Sequence, residues 1–301
     1  MRRPDFRLAF LLAAGMLFLS LSLAACMGVS PAASGAGDGD AESADVPQEL
    51  AIFDAGSFGE PTTIDNVWLP MQPGARFVYE GTTVKEDGEV VPHRVEIYIT
   101  DLTKVVGDVR SVVSWDLDYT NDELVEAELA FYAQADDGTV WHLGQYPEEY
   151  EDGKFVDAPA WIHGIEGAHA GIHMQADPQP DTPSYAQGWG PAVDWTDRGQ
   201  VDQVGQQTCV PVDCYEDVLV IAETSASEPD AEQLKYYARG VGNVRVGWRG
   251  EGETTQEVLE LVEYSQLSPE ELAGVRAQAL ELEKSAYERS KDVYAQTSPA
   301  E

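Results

Sequence analysis

The sequence predicts a mainly β fold, in which an antiparallel meander forms a barrel or a strongly curved sheet and a C-terminal α-helix follows. Apolar and polar residues alternate with a period of two through the middle of the chain, as expected for strands. No alternation of strands with helices is visible, which disfavours a parallel α/β sheet. Between the apolar runs stand dipeptides that suit hairpin turns, at Asp87-Gly88, Asp137-Gly138 and Asp152-Gly153.

The N-terminus has the pattern of a secretory lipoprotein signal. Arg2, Arg3 and Arg7 precede an apolar run over residues 8–25, and residues 21–26 read Leu-Ser-Leu-Ala-Ala-Cys. This lipobox predicts a signal peptide at 1–25, cleavage before Cys26 and lipid on the Cys26 thiol. The protein is therefore expected to be extracytoplasmic and anchored to the cell membrane or the outer membrane, and an uncleaved signal anchor is the alternative.

Residues 26–48 contain mainly Gly, Ala, Ser, Asp and Pro, with almost no large apolar side chain. Such a composition cannot bury a core, so a flexible tether with a reach of roughly 25 Å is expected.

Residues 49–266 are predicted to form one β-rich domain. Val95, Ile97 and Ile99 alternate with polar neighbours, and a second run alternates Val113, Trp115, Leu117 and Tyr119 with Ser114, Asp116 and Asp118. Each run predicts a half-buried strand with one solvated face. Later strands are expected at 192–204, 215–223, 233–238, 244–249 and 258–264.

A helix is predicted for residues 267–295, followed by a disordered tail at 296–301. Ser268 suits the N-cap, Pro269 the first turn and Glu271 the capping-box position. The apolar residues that follow recur at intervals of three and four and favour packing on the sheet over a coiled coil, at Leu272, Val275, Ala279, Leu282, Ala286 and Val293.

The chain is strongly acidic, with a formal net charge of −36. Removal of residues 1–25, which hold three arginines and one aspartate, makes the charge −38. Such a surface repels phosphate, so nucleic acid is excluded as a partner, and the membrane link must come from the lipid. A solvated surface is the favoured explanation of the acidity, while cation binding or a high-salt habitat remains an alternative.

With Cys26 assigned to lipid, Cys209 and Cys214 are left as a pair in an oxidising compartment. Four residues separate them, which is enough for a turn, so we predict a disulfide. A redox-active pair is the alternative, although the spacing is wider than Cys-x-x-Cys.

A histidine-rich segment is the one compact metal-like motif. His163, His169 and His173, with Asp177, could ligate zinc or copper, but the glycines among them also fit an irregular loop with exposed histidines. No cofactor is predicted, and a divalent metal at this segment is the exception kept open.

Aromatic residues cluster among glycines and prolines at Trp161, Tyr185, Trp189 and Trp195. They could stack on a sugar ring or line an apolar pocket, and core packing under a long loop is the alternative.

Sequence signatures of catalysis are absent: the chain has no nucleophile elbow, zinc-protease helix or phosphate-binding glycine loop. The expected function is a noncatalytic binding or envelope-associated module whose partner is a small molecule, a glycan or an envelope protein. The alternatives are a carboxylate-dependent hydrolase and a metal-binding protein that uses the histidine segment.

Residues 67–81 read Val-Trp-Leu-Pro-Met-Gln-Pro-Gly-Ala-Arg-Phe-Val-Tyr-Glu-Gly. This run resembles the opening of a family of uncharacterised bacterial secreted or lipoprotein β-rich domains, and similar features recur at 131–141, 171–178 and 235–242. The resemblance covers Asn66 to Tyr264 and implies no activity. Independently of it, Pro70 and Pro73-Gly74 predict a tight turn before the first strand.

Overall fold

The computed structural model describes residues 49–85 and 87–301, so the predicted signal peptide, the tether and Cys26 lie outside the described residues. The described residues form fifteen strands, one α-helix and two short 3-10 helices at Ala55–Ser57 and Tyr294–Gln296. The strands are β1 Ala75–Val84, β2 Val90–Val106, β3 Val109–Thr120, β4 Glu123–Gln134, β5 Val140–Glu151, β6 Lys154–Asp157, β7 Trp161–Ile162, β8 His169–Met174, β9 Tyr185–Ala186, β10 Gly188–Trp189, β11 Arg198–Cys209, β12 Cys214–Ser225, β13 Glu228–Ala238, β14 Gly242–Arg249 and β15 Val258–Gln266. The helix α1 spans Pro269–Arg289.

The strands form one antiparallel, nearly closed, barrel-shaped sheet, which confirms the predicted fold class. Their order is β10-β8-β5-β4-β3-β2-β1-β15-β14-β13-β12-β11-β9, and β6 and β7 pair with β5. The first long strand, β1, pairs with the last, β15. At the other side of the barrel the edge strands β9 and β10 are separated only by Gln187.

All three predicted Asp-Gly turns are hairpins. They join β1 to β2, β4 to β5 and β5 to β6. Gly88, Gly138 and Gly153 have φ of 83°, 91° and 68°, which explains why glycine suits these positions. The strand predicted at 192–204 corresponds to β11, which begins later than predicted, at Arg198.

The prediction that the polar face of β3 is solvated is wrong. Ser114 and Asp118 are buried, and they face the barrel interior, whereas Val113 and Trp115 pack in a second core on the outer side of the sheet. The reason is that α1 covers the outer face, so the polar side of the alternation points inward rather than to bulk solvent.

Two large hydrophobic cores and two small clusters hold the described part of the chain together. The first fills the interior and takes residues from strands around the barrel, among them Tyr79, Val95, Leu219, Val244 and Leu261. The second lies between α1 and the outer surface of the sheet. Its members include Trp115, Leu129, Phe131, Leu143, Val275, Ala279 and Leu282.

The helix begins with the predicted capping box. Ser268 Oγ accepts from Glu271 N at 3.3 Å, and Glu271 Oε2 accepts from Ser268 N at 2.8 Å. The apolar stripe packs on the sheet as predicted, with Val275, Ala279 and Ala286 buried. In residues 49–85 and 87–301, no helix has the length and hydropathy to cross a bilayer.

The predicted disordered tail at 296–301 is instead ordered against β2. Thr103 and Glu301 exchange backbone hydrogen bonds of 3.0 and 2.9 Å. Lys104 Nζ donates to Ser298 O at 2.6 Å. The sequence could not reveal this, because the partners are nearly two hundred residues away.

Candidate ligand-binding cavity

A cavity of about 50 Å³ that is open to solvent lies inside the barrel, with both polar and apolar residues in its lining. The strands β4, β5 and β8 form one wall, β12 and β13 form the opposite wall, and the segment between β9 and β11 crosses between them. Its lining includes Tyr132, His142, His173, Gln187, Trp195, Asp197, Glu223, Glu228, Lys235 and Glu253.

A buried ion pair spans β12 and β13. Lys235 Nζ lies 3.3 Å from Glu223 Oε2, with side-chain exposures of 11% and 14%. Gln187 Nε2 donates to Glu223 Oε1 at 2.6 Å. Burial alone would raise the Glu223 pKa, but Lys235 and the other partners outweigh it and lower this pKa. Likewise, the Lys235 pKa is raised despite burial, chiefly by Glu223. Both groups are therefore charged at neutral pH.

The pKa of Asp197, which lines the same cavity, is shifted in the opposite direction from that of Glu223. Burial, together with the negative charge of Glu223, raises the Asp197 pKa to about 7. Two carboxyl groups in one cavity thus favour different protonation states.

Aromatic rings surround His142. Its ring centroid is 4.9 Å from Tyr132, 4.8 Å from Trp161 and 6.0 Å from Trp195. Trp161 and Trp195 stack with centroids 5.6 Å apart. Burial lowers the His142 pKa well below its ordinary value and lowers the His173 pKa to about 4, so both imidazoles are neutral at pH 7.

Several buried polar atoms of this region have no hydrogen-bond partner among the described residues. They are His142 Nε2, Trp195 Nε1, Trp161 Nε1 and the Tyr185 hydroxyl. His142 and Trp195 line the cavity itself and are 2% and 3% exposed. Unpaired buried groups of this kind cost about 1–3 kcal/mol each.

The four aromatic residues predicted from the sequence have different positions. Trp195 lines the cavity, and Trp161 supports it from behind. Tyr185 is buried on β9, where its ring would contact a Cβ placed on Gly199. Trp189 is half-buried on β10 opposite His169 and does not line the cavity.

The predicted metal ligands do not form one site. His163 packs on Phe53 at 4.4 Å, and its ring centroid lies 6.1 Å from that of His169. His173 instead lines the cavity, 6.0 Å from His142. Asp177 accepts a hydrogen bond from Gln179 at 2.9 Å.

Part of the histidine segment, which was predicted to be an irregular loop, forms the strand β8. This strand separates His163 from His173. Within the described part of the chain, no group of three or more His, Cys, Asp or Glu residues could hold a metal ion.

The predicted disulfide between Cys209 and Cys214 is present and closes the hairpin between β11 and β12. Its Cα atoms are 4.0 Å apart and directly opposite in the register. The fold therefore uses this pair structurally, at the end of two paired strands.

A group of acidic side chains on β3 and β4 adds to the polar interior. Asp116 faces Glu128 and Asp118 faces Glu126 across the strands. Burial raises the pKa of all four carboxyl groups, and that of Asp116 reaches about 7. His93 offsets part of this charge, because its Nε2 lies 2.7 Å from Asp118 Oδ1.

Sequence reasoning missed His142, Asp197, Glu223 and Lys235. One signal was present: Leu219, Ile221 and Glu223 share a face of one strand, so a charged residue follows two buried apolar ones. A charge at such a position is expected to point into the barrel.

No protein-family profile and no curated protein matches the chain. Two solved structures are similar to it. One is a candidate exported protein with a YmcC-like fold from Bacteroides fragilis NCTC 9343, with 11% identity, a TM-score of 0.40 and coverage of 67% of this chain and 100% of that one. The other is a candidate lipoprotein from Parabacteroides distasonis ATCC 8503, with 10% identity, a TM-score of 0.39 and coverage of 66% and 99%. Similarity at this level carries no functional argument.

Proposed function

We propose that the protein is a lipid-anchored, extracytoplasmic module that binds a small polar ligand, without catalysis, in the barrel cavity. The observation that carries this proposal is a solvent-connected cavity lined by the Glu223–Lys235 ion pair and by the aromatic rings of Tyr132 and Trp195. Convergent polar groups among aromatic rings are typical of small-ligand sites.

The wall of the cavity supports binding because its charged groups are held in fixed positions. Glu223 is fixed by Lys235 and Gln187 together, so neither carboxylate oxygen has to reorganise when a ligand enters. A preorganised site loses less conformational entropy on binding than a flexible one.

The proposed anchor rests on the lipobox that ends at Cys26. The disulfide between Cys209 and Cys214 supports an oxidising compartment outside the cytoplasm. The cell membrane and the outer membrane both satisfy these requirements.

Native mass spectrometry of the full-length gene product, extracted from host membranes in detergent, tests ligand binding. We expect an adduct that is lost on denaturation and is depleted in Trp195→Phe, which replaces the indole that lines the cavity with a smaller ring. Trp141→Phe is the matched control, because Trp141 packs on the outer side of the sheet. A bare protein in every preparation would contradict the binding proposal.

The intact mass of the same material tests the anchor. For the wild type we expect the mass of residues 26–301 plus acyl chains. For Cys26→Ser we expect the mass of the unprocessed chain without lipid. A wild-type protein that retains residues 1–25, or that carries no acyl mass, would overturn the anchor and leave the cavity proposal standing.

A second candidate function is hydrolysis, favoured by the opposite protonation tendencies of Asp197 and Glu223 in one cavity. Asp197 would donate a proton to the leaving oxygen of a glycosidic bond, and ionised Glu223 would support the attack of water. Reducing-end release from oligosaccharides, abolished by Asp197→Asn, would favour this function. No release by the wild-type protein would rule it out for those substrates.

A further inference from the structure

The lining of the cavity carries more negative than positive charge. Four carboxyl groups line it, at Asp197, Glu223, Glu228 and Glu253, against the single ammonium of Lys235. The two imidazoles of the lining add no positive charge at pH 7, because burial lowers both of their pKa values. A phosphate or carboxylate ligand would therefore meet repulsion, and a cation would be attracted.

Three of these carboxyl groups already have a partner or favour the neutral form. Glu223 is paired with Lys235 at 3.3 Å. Glu253 Oε1 accepts hydrogen bonds from Thr255 N at 2.9 Å and from Thr255 Oγ1 at 2.6 Å. Burial and negative neighbours raise the pKa of Asp197 to about 7, so this carboxyl carries only part of a charge at neutral pH.

Glu228 is the carboxyl group that lacks a counter-ion. It is half-buried and lies in the hairpin of β12 and β13, opposite Ser225 in the register. Burial and the negative charge of Glu253 both raise the Glu228 pKa, and no cation among residues 49–85 and 87–301 offsets them. A cation in the cavity beside Glu228 would supply the missing partner.

An ammonium group suits this position better than a metal ion does. In the part of the chain that the structure describes, no group of three or more His, Cys, Asp or Glu residues could hold a metal ion. A primary ammonium needs fewer ligands, because it pairs with a single carboxylate and its three N–H donors bond to separate oxygens.

The size of the cavity limits what can enter beside the ammonium. At about 10–15 Å³ for each water-sized group, a cavity of 50 Å³ holds about three to five such groups. An ammonium with the two or three methylene groups next to it has this size. The rings of Tyr132 and Trp195 in the lining provide apolar surface for the methylene groups. Because the cavity is open to solvent, the rest of a longer amine can stay outside.

We infer that the cavity binds the terminal aminoalkyl group of a primary aliphatic amine, with the ammonium paired to Glu228. This inference rests on the proposed binding function and specifies the ligand class.

Isothermal titration calorimetry of the full-length protein in nonionic detergent at pH 7 tests the charge of the ligand. The probes are n-butylamine, n-butanol and butyrate, which share a chain length and differ in charge. We expect n-butylamine to bind at least about tenfold more tightly than n-butanol, and butyrate not to bind.

Two further amines distinguish the possible sources of the aminoalkyl group. 1,4-Diaminobutane carries it as a free amine, and Nα-acetyl-lysine methylamide carries it as a lysine side chain. The probe that binds more tightly identifies the source, and both results agree with the inference.

Substitutions at Glu228 test the ion pair. Glu228→Gln should lose about tenfold in affinity for n-butylamine, and Glu228→Asp, which keeps the charge, should lose less. Glu281→Gln is the matched control, because Glu281 is exposed on α1 and its partner is Lys284. Circular dichroism of each variant shows whether the fold is kept. The comparison of n-butylamine with n-butanol in the wild type decides even where a variant unfolds.

Three outcomes would overturn the inference. These are binding of n-butanol or butyrate that equals or exceeds that of n-butylamine, no heat from any amine at millimolar concentration, and amine binding that a folded Glu228→Gln leaves unchanged. The native mass experiment separates this failure from that of the proposed function. An adduct that is depleted in Trp195→Phe but is not an amine would keep the binding module and refute only the aminoalkyl ligand.

Discussion

Lys104 Nζ lies 2.9 Å from Glu283 Oε1, and this pair connects β2 to α1 with exposures of only 0% and 6%. The same carboxylate oxygen accepts from the Tyr294 hydroxyl at 3.0 Å and from Ala300 N at 2.9 Å. One buried ion pair therefore fixes the helix and the C-terminal residues on the outside of the barrel.

We expect Lys104→Met to lower the free energy of unfolding by about 3–5 kcal/mol, because it leaves the Glu283 carboxylate buried and without its cation. Urea unfolding followed by circular dichroism measures the change. Adding Glu283→Gln should restore part of the loss, since the amide keeps an acceptor for Tyr294 without the charge.

Lys284→Met is the matched control. Lys284 forms an exposed pair with Glu281 at 3.5 Å, so its removal should change stability by less than about 0.5 kcal/mol. Equal losses at Lys104 and Lys284 would show that the buried pair does not hold the helix in place.

The pH dependence of stability should report the buried acids of β3. Burial raises the Asp116 pKa from 3.8 to about 7. Between these values the folded protein keeps a proton that the unfolded chain has lost, so the free energy of unfolding falls as the pH rises. For Asp116 alone this slope is at most about 1.4 kcal/mol per pH unit.

Asp116→Asn removes this titration, and the stability difference between wild type and variant should therefore shift in favour of the variant as the pH rises from 4 to 7. Asp292→Asn, at an exposed position after α1, is the control. If the free energy of unfolding changes with pH equally in the wild type and in Asp116→Asn, the raised pKa of Asp116 is refuted. His173 acts in the opposite direction, because its pKa is lowered to about 4 and it therefore costs stability as the pH falls towards 4.

The parts of the fold that local chemistry determines were predictable. The Asp-Gly hairpins and the capping box of Ser268 and Glu271 depend on residues close in sequence, and each is present. The face on which α1 packs is a nonlocal property. Alternation in β3 showed two unlike faces, but not that the polar one, with Asp118, would be buried inside the barrel.

The candidate site was less predictable for the same reason. The composition of its loop-rich segment points to Trp195, whereas His142 lies on β5, far in sequence from Glu223 and Lys235 on the hairpin of β12 and β13. Only barrel closure brings these strands around one cavity. Spacing along the chain also grouped His163 with His173, which the strand β8 places apart.

The disulfide should contribute modestly to stability. It closes a short hairpin loop, with a sequence separation of 5, so Cys209→Ser with Cys214→Ser should cost about 2 kcal/mol. Urea unfolding of the wild type and the double variant measures this cost. Because the cysteines lie at the far end of the hairpin from Glu223, cavity binding should persist. Loss of the fold in the double variant would contradict this modest role.

The two indoles at the cavity depend on a glycine. A Cβ on Gly188 would lie 2.6 Å from Trp161 Cη2 and 2.8 Å from Trp195 Nε1. Gly188→Ala must therefore displace the stacked pair, and we expect a loss of about 1–3 kcal/mol in stability, an altered tryptophan emission and weaker ligand binding.

Gly274→Ala is the control with the opposite expected sign. Gly274 is exposed within α1, and nothing lies within 4 Å of an added Cβ. This substitution should raise the free energy of unfolding by up to about 1 kcal/mol, because alanine favours the helix. Emission and stability that stay unchanged in Gly188→Ala would mean that the indoles do not pack against β10, and the cavity wall would lose its rigid aromatic support.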